Sequence, residues 1–219
     1  MNARAEVLVR SLACGLAFPL VALAAYLPGT FQPTPQSASP DRTAGLQAFA
    51  QIERVLLHPR CVNCHVPAGP LQGDVKRVHY PAVERGNDGR GVAPLNCATC
   101  HPTQNGAVVH SPPGLDIDGQ PGWRMPPANM KMSWIGLSGA ALCKVFRDPK
   151  TNGGRSLAAI EQHIVTDHLV AWGWHPGAGR ELPPLEKPEF DEQVRTWIRN
   201  GAPCDSSESL RSSVASRQP

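Results

Sequence analysis

Aromatic side chains are scarce in this chain of 219 residues, which contains five Phe, five Trp and two Tyr. Such side chains supply much of the buried area in most protein cores, so a core built from side chains alone would be thin at this length. Gly and Pro are abundant instead, at 20 and 23 residues, well above their usual combined share of about 12%. A large apolar cofactor would complete a core that the side chains leave thin.

The sequence also lacks a strong excess of charge, with a formal net charge of +3 at pH 7. It contains no run of basic residues and no alternation of basic with aromatic residues, so nucleic acid is excluded as an expected partner. No set of residues forms a recognisable pattern of acid, base and nucleophile. We therefore expect no catalytic residue and no enzymatic activity of the chain itself.

The most specific pattern that is present is a pentapeptide, Cys-x-x-Cys-His, which occurs at residues 61–65 and again at residues 97–101. Two thiols at this spacing can reach two vinyl groups on one edge of a porphyrin, and the adjacent histidine then supplies an axial nitrogen to the iron. The sequence therefore predicts two covalently bound haem c groups. The thioether cysteines would be Cys61, Cys64, Cys97 and Cys100, and the proximal iron ligands His65 and His101.

Two other uses of these four cysteines stay open. A structural zinc site usually separates its two Cys-x-x-Cys pairs by about 15–20 residues, whereas 32 residues lie between Cys64 and Cys97. Zinc also gives no reason for a histidine directly after both second cysteines. Disulfides are the other alternative, because an exported protein meets an oxidising compartment.

Several residues are candidates for the sixth ligand of each iron. His79 lies between the two pentapeptides in a stretch with no other evident role. Met125 precedes two prolines and resembles the Met-Pro ligand segment of small cytochromes c, and Met130 and Met132 are near enough to substitute for it. His163 lies beside the apolar face of a predicted helix, where a lone histidine is more often a core or surface residue than a ligand. We take His79, Met125 and Met132 as the candidate distal ligands.

Apolar periodicity and capping residues predict a mainly α-helical, cytochrome c-like fold with extensive irregular loops. The predicted helices are residues 43–57, 139–147, about 157–171 and about 189–200. Pro59 is expected to stop the first helix just before the first pentapeptide. Residues 66–129 are rich in Gly and Pro, and such a long loop is improbable unless a cofactor orders it. The two haems would thus lie in a compact, Gly/Pro-rich core.

The chain divides into four segments. An apolar run at residues 11–27 predicts that residues 1–27 are a secretory signal peptide. Because about 17 apolar residues is the lower limit for a spanning helix, a retained membrane anchor stays an alternative, and either reading places the protein in the periplasm. Residues 28–42 predict a Pro/Ser/Thr-rich linker and residues 205–219 a disordered, Ser-rich tail. Residues 43–204 would form the dihaem cytochrome c domain.

Two cysteines, Cys143 and Cys204, are left over once the pentapeptides and Cys14 are set aside. Cys143 lies in the predicted helix 139–147, and Cys204 follows the last predicted helix. An even leftover pair in an oxidising compartment predicts a disulfide that fixes the last helix to the middle one. Two buried free thiols are the alternative.

Further short segments accompany the pentapeptides between about residues 45 and 204. They are His79-Tyr80-Pro81, Arg85-Gly86, Met132-Ser133-Trp134-Ile135-Gly136-Leu137-Ser138, Leu142-Cys143, Asp148-Pro149, Asn152-Gly153-Gly154-Arg155 and Trp172-Gly173-Trp174. In these segments the chain resembles the exported c-type cytochrome proteins labelled isoquinoline 1-oxidoreductase subunit. The resemblance implies an electron acceptor for molybdenum hydroxylases related to xanthine dehydrogenase, whose molybdenum and iron–sulfur centres lie on partner chains. It also implies a histidine near Trp123, where this chain has Arg124 and Met125 instead.

Together these observations predict an exported dihaem cytochrome that passes electrons from a hydroxylase or dehydrogenase partner towards a respiratory acceptor. A peroxidase-type dihaem enzyme is one alternative, since such an enzyme keeps one iron open so that a small molecule such as peroxide can bind. A zinc-binding interaction module is the other. The sixth position of each iron distinguishes the carrier from the peroxidase.

Overall fold

The computed structural model describes residues 39–130 and 132–205. The predicted signal peptide or anchor, most of the linker and the tail from residue 206 lie outside these residues. In the described part, no helix has both the length and the apolar character needed to cross a membrane. The helices there are α1 (Arg42–Leu56), α2 (Pro59–Val62), α3 (Gly139–Arg147), α4 (Leu157–Thr166), α5 (His168–Trp172) and α6 (Lys187–Arg199).

Helix α1 begins one residue before the predicted start at residue 43 because Asp41 caps it. The Asp41 carboxylate accepts hydrogen bonds from the backbone N–H groups of Thr43 and Ala44, at 2.8 and 3.1 Å, which satisfies donors that have no partner inside the helix. Helix α1 therefore begins at Arg42, the last residue of the segment predicted as linker. The apolar face of α1 is buried and includes Ala48, Phe49, Ile52, Val55 and Leu56.

Helix α1 ends before Pro59, as predicted, and Pro59 also starts a short helix, α2, that was not predicted. Proline fits the first turn of a helix because its missing N–H would have no partner there. The His58 ring nitrogen Nδ1 caps α2 by accepting a hydrogen bond from the Arg60 N–H at 3.3 Å. The backbone N–H groups of Cys64 and His65 then donate to the Cys61 carbonyl, both at 3.2 Å. This turn brings Cys61, Cys64 and His65 of the first pentapeptide close together.

The predicted helix 157–171 is divided in two at Asp167. Asp167 has an extended backbone (φ −74°, ψ 128°) and ends α4. Its Oδ1 atom accepts hydrogen bonds from the N–H groups of Leu169 and Val170, at 2.8 and 3.4 Å, and so caps α5. The side chain thus replaces the backbone hydrogen bonds that a continuous helix would make.

The other two predicted helices, α3 and α6, are confirmed. Ser138 caps α3 by accepting a hydrogen bond from the Ala141 N–H at 3.3 Å. Helix α6 begins two residues before the prediction, and Pro188 lies in its first turn. Gly201 follows α6 with φ +82°, a conformation that glycine adopts at little cost and that commonly ends a helix.

Residues 66–129 contain three hairpins of very short strands. The antiparallel pairs are β1 (Leu71–Gln72) with β2 (Arg77–Val78), β3 (Gly91–Val92) with β4 (Leu95–Asn96), and β5 (Asp116–Ile117) with β6 (Gln120–Pro121). Short 3₁₀ turns lie at Cys97–Thr99 and Ala128–Met130. Each strand has two residues, which is too short for side-chain alternation to reveal it in the sequence.

The helical core forms where α1 packs against α6 and α3. Gly45 of α1 lies directly against Pro203, just beyond α6, and a β-carbon on Gly45 would lie only 2.5 Å from Cγ of Pro203. This position of α1 therefore requires glycine. The ring centroid of Trp197, which is fully buried, lies 5.2 Å from that of Phe49 and 5.8 Å from that of Phe146. Several of the scarce aromatic residues are therefore concentrated in this core.

A disulfide joins Cys143 of α3 to Cys204, which follows α6. Cys143 is 1% exposed. Beside the bridge, the Trp197 indole N–H donates a hydrogen bond to the Pro203 carbonyl at 3.0 Å. The disulfide thus fixes the segment after α6 onto the helical core.

Replacing both Cys143 and Cys204 by alanine is expected to lower the free energy of unfolding by about 4 kcal/mol, because the disulfide closes a long loop and restricts the unfolded chain. The two residues are 61 positions apart. Urea unfolding followed by circular dichroism would measure the loss. A mild reductant should destabilise the native protein to a similar degree and leave the double variant unchanged. An equal response of both proteins to the reductant would contradict a stabilising bridge.

Candidate cofactor sites

The first pentapeptide lines a cavity of about 290 Å³ in the helical core. Apolar side chains from four helices form much of its wall: Leu56, Phe146, Ile160, Ile164 and Phe190. Cys61, Cys64 and His65 enter it from α2 and the following turn. The cavity is therefore part of the core, and the residues around it are those that hold the helices together.

His65 is held rigidly at this cavity. Its Nδ1 atom is 3.2 Å from the Met132 carbonyl oxygen, and because a carbonyl only accepts, Nδ1 carries the proton and the Nε2 lone pair stays free. The ring stacks on Trp134, with centroids 3.5 Å apart and planes 3° from parallel. Burial lowers the pKa of His65 to about 3; the Met132 hydrogen bond opposes this shift, and nearby His163 adds to it. The ring is thus neutral at pH 7, as a metal ligand must be.

The thiols of Cys61 and Cys64 are half-buried in the wall of the same cavity. Burial raises the pKa of Cys61 to about 12 and that of Cys64 to about 11. Each shift is increased by a neighbouring thiol, Cys64 in one case and Cys97 in the other. Neutral sulfur is therefore favoured here, and neutral sulfur is also what a thioether link to a porphyrin contains.

The second pentapeptide lines another cavity, of about 330 Å³, among the loops and hairpins. His101 places its Nδ1 atom 2.8 Å from the Pro113 carbonyl oxygen and stacks on Trp123, with centroids 4.8 Å apart and planes 3° from parallel. Burial lowers the pKa of His101; the Pro113 hydrogen bond opposes the shift, and nearby His79 adds to it. His101 therefore repeats the arrangement of His65, with a carbonyl at Nδ1, an indole against the ring and a free Nε2.

His79 faces His101 across this second cavity. The two ring centroids are 6.1 Å apart. Two imidazoles bound to one metal ion at about 2 Å each would have ring centres roughly 6 Å apart. The His79 Nδ1 atom is 2.9 Å from the Pro81 carbonyl oxygen, so its Nε2 is also the free nitrogen. The pair has the spacing of two axial ligands to one iron.

The candidate methionines are distributed differently. Met132 and Met130 line the first cavity, and a β-carbon on Gly153 would lie 3.4 and 3.3 Å from their sulfur atoms. Both sulfurs therefore lie at one place beside Gly153. Met125 is 5% exposed and lines both cavities. The structure thus places Met125 between the two sites and Met132 next to His65.

The two cavities adjoin. The residues that line both of them are Arg60, Cys64, Trp123, Met125 and Trp172. Trp123, which stacks on His101, also meets Trp172 edge to face with centroids 4.6 Å apart. A single layer of side chains therefore separates the two sites.

Arginine side chains surround both cavities and favour an anionic occupant. Arg60 lines both, Arg77 and Arg180 line the second, and within the described residues no Asp or Glu lines the second. Arg60 pairs with Asp74, yet its buried Nε has no hydrogen-bond partner in the described part of the chain. Unpartnered guanidinium donors of this kind suit carboxylates. The propionates of haem are carboxylates.

The residues of both cavities suit haem c. In residues 39–130 and 132–205, no three or more His, Cys, Asp or Glu side chains form a group that could hold a metal ion. A haem iron needs only two axial ligands from the protein. Each cavity supplies a pair of thiols and a neutral histidine, and the second supplies an opposing imidazole. The donor set, the apolar walls and the surrounding arginines all suit the group.

Three further residues at the two cavities make contacts that the sequence pattern does not reveal. Trp134 and Trp123 stack on the two proximal histidines, and no local pattern in the sequence indicates those pairings. His163 lines the first cavity and lies 3.5 Å from Asp167. The spacing of four between these two residues was the available signal, because it places both on one face of a helix.

Comparison with protein-family models, with curated proteins and with solved structures finds no match to this chain. The two cavities are therefore the basis for assigning a function. They bring together Cys61, Cys64 and His65 in one site and Cys97, Cys100 and His101 in the other.

Proposed function

We propose that this protein is an exported dihaem c-type cytochrome that carries electrons. The observation that carries the proposal is the pair of adjoining cavities, each of which contains a Cys-x-x-Cys-His pentapeptide with a neutral histidine fixed through Nδ1. A carbonyl at Nδ1 is the arrangement that orients a histidine to bind a metal through Nε2. Because both sites share this arrangement, we assign one haem c to each.

Haem c supplies one-electron chemistry at its iron when it is bound. The chain would hold the iron ligands His65 and His101 at fixed orientations and keep water away from the first site with apolar side chains. His79 would close the second site by occupying the position opposite His101. A site closed by two imidazoles has no open position for peroxide, and this favours a carrier over a peroxidase-type enzyme.

The side chains that line both cavities form a wall shared by the two sites, and this wall supports transfer of electrons between them. Cys64 belongs to the first pentapeptide and also lines the second cavity. Trp123 and Met125 complete the same wall. Two redox groups separated by one layer of side chains would exchange electrons quickly, so we propose that the protein works as a two-electron relay with one entry site and one exit site.

The cellular location and the redox partners are proposed from the sequence. Covalent attachment of haem c takes place on the far side of the cytoplasmic membrane, which agrees with the predicted signal peptide or anchor and with a periplasmic location. The resemblance to isoquinoline 1-oxidoreductase subunits suggests a molybdenum hydroxylase as donor and a respiratory component as acceptor. The packing of α1 against α6, with a pentapeptide directly after α1 and α2, supports a cytochrome c-like core around the first site.

The full chain, expressed with the cytochrome c maturation machinery, should contain two haems, and each should be reduced and reoxidised reversibly. Pyridine haemochrome absorbance would give the haem content, and electron paramagnetic resonance of the oxidised protein should show two low-spin signals. Absence of a c-type band would overturn the haem assignment and return zinc to consideration. One high-spin haem together with peroxide turnover would instead support the peroxidase-type enzyme.

A further inference from the structure

A second histidine lines the first cavity and comes from a different element than His65. His163 lies on α4 between Ile160 and Ile164, and all three side chains line the cavity. Asp167 lies one helical turn further on and lines it too. Residues at this spacing lie on one face of a helix. Helix α4 therefore presents two apolar residues and one imidazole to the space that His65 enters from the turn after α2, and Asp167, which ends α4, presents a carboxylate to it.

Asp167 holds His163 in a fixed orientation. The His163 Nδ1 atom lies 3.5 Å from Asp167 Oδ2, so the carboxylate favours a proton on Nδ1 and leaves the Nε2 lone pair free. The carboxylate is itself fixed, because its Oδ1 caps α5 and its Oδ2 lies 3.4 Å from an Arg124 nitrogen. Metal-binding histidines commonly have such a carboxylate as their second partner. The pair therefore has the features of a ligand and its orienting residue.

Met132 is poorly placed to bind the iron opposite His65. Its own carbonyl accepts the hydrogen bond from the His65 Nδ1 atom, which lies on the opposite edge of the ring from Nε2. To reach the far side of the iron, the Met132 side chain would have to pass both the imidazole and the porphyrin, and a methionine is too short for that. Its sulfur instead lies 3.9 Å from an Arg155 nitrogen. Met132 is therefore a packing residue on the His65 side.

Two other methionines line the first cavity. The sulfur of Met130 lies beside that of Met132, next to Gly153, and so belongs to the same group. The backbone N–H of Met125 donates to the Gly89 carbonyl at 2.8 Å, which fixes this residue in the wall shared by the two cavities. Met125 is thus the remaining competitor of His163, and among the described residues no hydrogen bond orients its sulfur towards one iron.

We propose that His163, oriented by Asp167, is the second axial ligand of the iron in the first site, opposite His65. This inference rests on the proposed function, since it requires haem c at the first pentapeptide. Both haems then have two histidine ligands, through His65 with His163 and His101 with His79. Two sites of the same ligation have similar iron potentials, whereas a methionine at one of them would raise its potential.

Near-infrared magnetic circular dichroism of the oxidised full chain would test the ligand, because the energy of its charge-transfer band distinguishes His–His from His–Met ligation. The native protein should show His–His ligation at both haems. His163→Met should convert one of the two to His–Met ligation. His163→Ala should make one haem high-spin, and added imidazole should restore the low-spin state. Met125→Leu and the exposed control His175→Ala should leave the charge-transfer bands of both haems unchanged.

Asp167→Asn tests the positioning role separately. Asparagine can still cap α5 but holds the His163 ring more weakly. Loss of such a partner typically weakens a metal ligand by about 10–100-fold, so cyanide should bind the first haem at least about tenfold more tightly in this variant than in the native protein. Equal cyanide affinity would remove Asp167 from the proposal.

A His–Met band in the native protein that disappears in Met125→Leu would overturn the assignment of His163. That outcome needs only the native protein and one conservative variant, so it decides the question even where a His163 variant does not fold. The haem content of every variant is measured in parallel. Two haems with a His–Met band would contradict only the His163 assignment, whereas absence of covalent haem would contradict the proposed function itself.

Discussion

Replacing Cys61 and Cys64 together by serine is expected to abolish the folded protein, whereas the same replacement of Cys97 and Cys100 is expected to leave a folded protein with one haem. The two pentapeptides have the same sequence pattern but different surroundings. The first lies in the helical core, and the second lies among hairpins and loops. The asymmetry of the two variants would therefore report where each haem is placed.

The expected difference has a physical reason in the walls of the two cavities. An empty cavity costs roughly 24 cal/mol per Å³ when its walls cannot collapse. For an enclosed cavity of about 290 Å³, the volume of the first pocket, this would amount to about 7 kcal/mol, and even half of it, for a pocket that is partly open, is a large share of the stability of a domain, about 5–15 kcal/mol. Leu56, Phe146 and Phe190 cannot collapse into it without breaking the packing of their helices. The loops around the second cavity can close or detach without disturbing the helices.

Periplasmic yield, far-ultraviolet circular dichroism and haem content of the two double variants would measure this difference. The Cys97/Cys100 variant should retain the helical signal and the Cys143–Cys204 disulfide, with one haem in place of two. Each variant is the matched control of the other, since each loses two thiols from the same motif. Equal loss of folded protein from both would contradict the placement of the first haem in the core.

His79→Gly is expected to convert the haem of the second site from low spin to high spin. The His79 and His101 rings have the separation of two ligands to one metal, and deleting one ring would leave its position open to water. Added imidazole should occupy that space and restore the low-spin spectrum. His79→Met should retain the low-spin state and raise the midpoint potential by about 0.1 V or more, within the range of about 0.8 V that axial ligands span.

His110→Gly is the matched control for this prediction. His110 lines the same cavity and has φ +61°, a conformation that glycine adopts without strain. The control should leave the spectrum and both midpoint potentials unchanged. A spin change in the His110 variant together with a normal spectrum of His79→Gly would assign the ligand to His110. Visible spectra and a redox titration of the three proteins are sufficient.

The sequence predicted the parts of the fold that depend on local chemistry. Ser138 and the apolar face that follows it were sufficient to predict α3, and Ser156 at the start of α4 and Pro188 in the first turn of α6 acted in the same way. The first helix ends before Pro59 as predicted, but the sequence did not reveal that Pro59 also opens α2, which His58 caps by a hydrogen bond. The break at Asp167 was missed because Ile164 and Leu169 on either side of it were assigned to one continuous helix, although the Asp167 side chain caps α5.

In the candidate site, too, the sequence predicted only what depends on local chemistry. The pentapeptides carry their chemistry in five consecutive residues, so the cysteines and proximal histidines could be named from the sequence. The position of His79 between them suggested a ligand, but its distance from His101 depends on how the loops fold. His163 was set aside because a single histidine on a helix is usually not a ligand. Its role becomes visible only when the cavity brings α4 and the turn after α2 together.

The close contact between α1 and α6 at Gly45 and Pro203 has a consequence for biogenesis. Along the sequence, α1 comes before both pentapeptides and α6 comes after them. Synthesis and export deliver the earlier segment first. The pocket around the first pentapeptide therefore cannot close until α6 has emerged. In the proposed cytochrome its thiols would remain accessible to maturation enzymes until then, and the Cys143–Cys204 bridge would form last and close a core that had already received its haem.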